Sequence, residues 1–60
     1  MGEPTTYLSV REVARRLGVS ANTLFAWRKD GSGPPWLKLG KIIRYPSNKF
    51  DDWLKSKAHD

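Results

Sequence analysis

The sequence predicts a mainly α fold with one β-hairpin, in the order helix, helix, two-stranded hairpin, helix. Three observations carry this. Two stretches with helical apolar spacing meet at "LGVS". The run "KDGSGPP" then forbids helix, and "WLKLGKIIRY" reads as two short strands about a Gly-Lys turn. After it, Phe50, Trp53 and Leu54 share the inner side of a last helix opened by Pro46 and Ser47.

Residues 1–6 are polar, contain Pro4, and read as a frayed lead-in to a domain over 7–56, with 57–60 as a tail. The first helix starts after Ser9. With Ser9 as N-cap, Glu12 falls at the third helical position, which predicts a capping box, and Leu8 faces Val13 as a hydrophobic staple. Val10, Val13, Ala14 and Leu17 form one apolar stripe, and Gly18 ends the helix. Ser20 restarts the chain at once as a second N-cap, with Val19 and Leu24 as a second staple. This helix runs to about Lys29 with Leu24 and Trp27 inward. Ala21, Asn22, Phe25, Ala26 and Lys29 point outward, with Arg28 on the flank. The strands are placed at Trp36–Leu39 and Ile42–Tyr45, joined by Gly40-Lys41 in a type II′ turn. A lone hairpin is marginal in water, so it must rest on the helices.

A 60-residue chain buries only about 60% of the surface it exposes when unfolded, and such scaffolds usually need a staple. There is no cysteine, and the single histidine, His59, lies next to the end, so neither a disulfide nor a zinc site serves. The expected staple is aromatic: Trp27, Trp36 and Trp53 in the core, helped by Tyr7, Phe25, Tyr45 and Phe50. No apolar run spans a membrane, and no secretory signal is present. The expectation is a cytoplasmic protein with no cofactor, no membrane partner and no small-molecule substrate. An enzyme is disfavoured. Asp51 and Asp52 are about 100° apart on a helix and do not converge, and no nucleophile–base pair or phosphate loop occurs.

The net charge of +5 is placed unevenly. Between Arg28 and Lys49 six basic residues face one acid, Asp30, while the rest of the chain cancels. Localised positive charge points to a polyanion. The four-residue joint supplies the matching geometry: Gly18 allows a tight turn, Val19 anchors it, and Ser20 starts a helix in a new direction. Such a helix-turn-helix unit leaves the outer face of its second helix free for the DNA major groove.

On that face Asn22 can pair with adenine N6 and N7, or bond to backbone and water as an ordinary first-turn Asn. Phe25 can touch a thymine methyl or sugar, or act as a peripheral core residue. Arg28 and Lys29 can contact phosphate or guanine, or serve as a solvated helix end favoured by the macrodipole. No apolar core role is expected of Arg28. Ser20 and Ala21, at the leading end of the helix, complete its candidate DNA-binding set. On the hairpin, Lys41 stands at the tip, with Lys38 and Arg44 expected on one strand face. They can reach DNA backbone or minor groove, or protect an edge strand.

"YLSVREVARRLGVSANTLFAWR" followed by "GSGPPWLKLGKIIRYPSNKFDDWL" resembles the small excisionase or AlpA-like proteins of the MerR superfamily, particularly the short actinobacterial and phage forms. The resemblance covers about residues 7 to 54. Its first half is carried by Leu8, Glu12, Val13, Ala14, Leu17 and Gly18, then Val19, Ser20, Thr23, Leu24 and Trp27. Its second half is carried by Gly33, Pro34, Pro35, Lys38 and Gly40, then Arg44, Tyr45, Trp53 and Leu54. The chain departs at Ala21 and Phe25, where many relatives place Arg or Tyr. The resemblance implies a winged helix-turn-helix, the hairpin being the wing. It also implies a DNA-binding accessory factor of site-specific recombination in a bacterial host cell. Its partners would be attachment-site duplex, an integrase and neighbouring copies of itself. The chain stops soon after Leu54, whereas MerR-type regulators append a dimerisation helix or effector domain, which favours the excisionase. A small regulator or repressor is the alternative. A protein-interaction module using the wing edge is a third class, and it leaves the charge pattern unexplained.

Overall fold

The computed structural model describes residues 6–58. The order is β1 (Tyr7–Leu8), α1 (Val10–Leu17), α2 (Ala21–Asp30), β2 (Leu37–Leu39), β3 (Ile42–Pro46) and α3 (Ser47–Lys57). This is the predicted mainly α fold with a wing. The "LGVS" joint is built from two caps. The N–H of Gly18 donates to the Arg15 carbonyl at 3.3 Å and that of Val19 to the Ala14 carbonyl at 3.0 Å, the Schellman pair, with Gly18 at φ 70°. Two residues later the Ser20 hydroxyl accepts from the N–H of Thr23 at 3.1 Å and opens α2. The chain therefore needs no further residues to leave one helix and enter the next.

The core gathers one or two residues from every element except β2. Leu8, Val13, Ala14, Leu24, Tyr45 and Phe50 are buried, and Val10, Leu17, Val19, Trp27 and Ile43 pack against them. Burying a side chain of this kind contributes roughly 1.5–3 kcal/mol, so a handful of contacts holds the domain. The aromatic staple is real but smaller than expected. Trp27 and Trp53 have ring centroids 6.3 Å apart, and Phe50 stacks on Trp53 at 6.5 Å. Trp36 is not part of it. It precedes β2 instead of starting it and is 39% exposed, because β2 itself stands off the core. Tyr7 and Leu54 are exposed as well.

The sheet has the order β1-β3-β2, both pairs antiparallel. Leu39 pairs with Ile42 across Gly40-Lys41, and Gly40 has φ 65° with no positive φ at Lys41, as a type II′ turn requires. The strand β1, at the start of the expected domain, is an element the sequence reading did not place: Tyr7 pairs with Pro46 and Leu8 with Tyr45. Just before it, the Thr6 carbonyl accepts from the N–H of Ser47 at 2.7 Å, satisfying one of the first-turn donors that a helix leaves open. Residues 1–5 of the lead-in, and His59 in the tail, lie outside the described residues.

α2 ends at Asp30, in line with the expected end near Lys29, and α3 reaches Lys57. One smaller expectation shifts. The capping box at Ser9 is half made. Its hydroxyl accepts from the N–H of Glu12 at 3.1 Å, but the Glu12 carboxylate turns to Arg15 (2.6 Å) and Arg16 (3.0 Å). Two guanidinium donors outcompete one backbone amide for the same acceptor.

Candidate nucleic-acid interface

The outward face of α2 is as the periodicity predicts. Ala21, Asn22, Phe25, Ala26 and Lys29 are exposed, while Arg28 is half-buried on the flank. Ser20 is exposed but occupied, since its hydroxyl serves as the helix cap and lies 3.1 Å from the Thr23 hydroxyl. Ala21 and Asn22 follow it at the free end of the helix.

Between α2 and the wing runs an open cleft of about 360 Å³. Phe25, Arg28 and Lys29 line it from the helix, Trp36 from the loop, and Lys38, Lys41 and Ile43 from the wing. Of its seven lining side chains four are cationic and none is acidic, so the cleft concentrates positive potential over an apolar floor. The two helix cations rest on aromatic rings. The Lys29 ammonium lies 5.5 Å from the Phe25 centroid, and the Arg28 guanidinium lies 5.9 Å from both the Phe25 and Trp36 centroids. Cationic donors above ring faces suit a sugar–phosphate backbone, which offers charge and apolar C–H surface together.

The wing cations are divided, which corrects one expectation. The register pairs Lys38 with Ile43 and Arg44 with Leu37. Residues directly opposite share a face and neighbours along a strand alternate. Lys38 therefore lies on the Ile43 face that borders the cleft, and Arg44 lies on the opposite face with Leu37, Leu39 and Ile42. Arg44 bends back, donating from Nη1 to the carbonyl of Ile43 at 2.8 Å. Lys41, at the tip, joins Lys38 at the cleft.

Arg28 has a partner that the sequence reading did not foresee. Its Nη1 donates to the hydroxyl of Tyr45 at 2.8 Å, and Tyr45 is fully buried. Arg28 therefore ties α2 to β3 as well as facing the cleft. Sequence reasoning missed Trp36 as part of this surface and Tyr45 as the buried support beneath it. Nothing local marks Tyr45, whose partner is 17 residues away, and the size of Trp36 argued for the core.

Among the described residues no group of three or more His, Cys, Asp or Glu side chains could hold a metal ion, and no helix is long and apolar enough to cross a membrane. A comparison with curated proteins finds no match. A family profile described as a helix-turn-helix domain matches residues 7–58. That span contains both caps, the joint, the outward helix and the wing. The chain belongs to the helix-turn-helix domain family, as a small DNA-binding protein of that kind.

Proposed function

We infer that the protein is an excisionase, a recombination directionality factor that binds and shapes attachment-site DNA so that an integrase assembles the excising complex. It performs no chemistry itself. The observation that supports DNA binding best is the common cationic cleft of α2 and the wing. In this reading Ser20, Ala21, Asn22 and Phe25 approach base edges in the major groove, while Arg28, Lys29, Lys38 and Lys41 hold the backbone. Arg44, on the far wing face, reaches phosphate outside the cleft. The excisionase role rests on the sequence resemblance over residues 7 to 54.

One such module covers little DNA, since single modules bury only about 600–1,000 Å² of protein surface. Neighbouring copies or integrase supply the remaining affinity. Binding is then cooperative on attachment-site DNA, and bending brings distant integrase sites together at an elastic cost of about 1–6 kcal/mol. The test is recombination in vitro with the cognate integrase, in both directions, with and without this protein. Stimulated excision and suppressed integration support the reading. Excision that proceeds equally well without the protein, together with silencing of a nearby promoter, replaces it with a transcriptional regulator.

A further inference from the structure

We propose that Tyr45 is a positioning residue for DNA binding, its buried hydroxyl fixing Arg28 so that the α2–wing cleft is a preorganised seat for one backbone phosphate. This rests on the DNA-binding reading of the same cleft.

An exposed arginine at a helix end samples many rotamers, and holding one of them during binding loses side-chain entropy. Arg28 is not in that state. Its Nη1 is held by the Tyr45 hydroxyl at 2.8 Å, and its guanidinium carbon sits 5.9 Å from two ring centroids, Phe25 and Trp36. Tyr45 is in turn held by the core: it has no exposed surface and its backbone pairs with Leu8. The hydroxyl thus transmits the rigidity of the core to a cation at the surface.

The chemistry of the remaining donors identifies the ligand. A guanidinium has five N–H donors, and among the described residues one of Arg28's has a side-chain acceptor, the Tyr45 hydroxyl. Arg28 borders a cleft whose other cations are Lys29, Lys38 and Lys41, with no acid among the lining residues. A planar fork held in place with no carboxylate partner fits a phosphate oxygen pair. The half-exposed rings of Phe25 and Trp36 beside it offer apolar surface to the adjoining deoxyribose.

Phosphate contacts supply most of non-specific binding, so a mixed-sequence duplex at low ionic strength is a sufficient probe. Fluorescence anisotropy is measured for the full chain, Tyr45→Phe, Arg28→Met and the double variant, with thermal unfolding of each. Tyr45→Phe keeps the core volume and every charge. It is expected to weaken binding about 3- to 10-fold, the worth of one net hydrogen bond, while the melting temperature falls by about 4–8 °C for the bond lost from the fold and the protein stays folded at the assay temperature. In the Arg28→Met background the same change is expected to leave affinity as it is, and the double variant is expected to fold because both partners of the bond are removed together. Equal affinity of Tyr45→Phe and the parent overturns the proposal. So does a loss of the same size in both backgrounds, because Tyr45 would then act through something other than Arg28. Absence of salt-dependent duplex binding by the parent chain overturns the DNA-binding reading itself, and the proposal with it.

Discussion

The guanidinium of Arg28 and the phenol of Tyr45, 17 residues apart in the chain, meet in a 2.8 Å hydrogen bond between the outward helix and the central strand. A residue that lines the cationic cleft is thereby also a support of the fold.

Arg28→Ala should therefore lower stability as well as DNA affinity. It leaves the hydroxyl of a fully buried tyrosine without its partner, which costs roughly 1–3 kcal/mol. In a domain of this size each kcal/mol moves the melting temperature by about 4–8 °C. Circular dichroism melting without DNA measures this, and an unchanged midpoint would show that the bond contributes nothing to the fold.

Lys41→Ala should behave differently. Lys41 is exposed at the wing tip and takes no part in the core. Its melting temperature should match the parent. The slope of log affinity against log salt, about −4 to −5 for four to six neutralised phosphates, should become less negative by about 1. A titration at several salt concentrations with the parent slope retained would take Lys41 off the DNA.

Gly33 and Gly40 make a matched pair of tests. Both have positive φ, 77° and 65°, so alanine at either meets backbone strain of about 1–3 kcal/mol. At Gly40 a Cβ would meet nothing within 4 Å, whereas at Gly33 it would lie 2.9 Å from Cε3 of Trp27. Gly33→Ala should cost about 1–3 kcal/mol more through overpacking. Equal denaturant midpoints for the two variants would mean that Trp27 moves aside freely.

Much of this was legible in the sequence because it is local. Ser9, Gly18 and Ser20 act within one turn of their own positions, and the inward and outward residues of α2 follow from its period alone. What escaped was non-local or too short. A two-residue strand such as Tyr7–Leu8 has no period to read. The Arg28–Tyr45 bond joins two elements whose packing no spacing encodes. The division of Lys38 from Arg44 depends on pairing register, in which a shift of one residue exchanges the faces. Size alone placed Trp36 inside, and the set-off position of β2 leaves it at the cleft.

Glu12 gives the fold a pH signature. Hydrogen bonds from Arg16 and Arg15 hold its carboxyl below the ordinary value of 4.5. A carboxylate with a depressed folded-state pKa stabilises the protein above its unfolded pKa, and that contribution fades as the pH falls through the folded value. Unfolding followed below about pH 4.5 should show this slope, and Glu12→Gln should remove it. Because the pair is exposed, high salt should also flatten the slope. Identical acid profiles for the parent and Glu12→Gln would assign acid loss to other carboxyls.

The strand β3 is shared end to end: Tyr45 and Pro46 pair with β1, while Ile42 to Arg44 pair with β2. Mechanically the wing is a cantilever. Its root is clamped at Tyr45 in the core, and its tip at Lys41 projects four residues beyond, a reach of roughly 13 Å at strand rise. Such an arm can bend to follow a groove of changing width while the core stays still. Its clamp is also the residue that holds Arg28, so load on the wing tip and the aim of the helix's guanidinium bear on a single anchor.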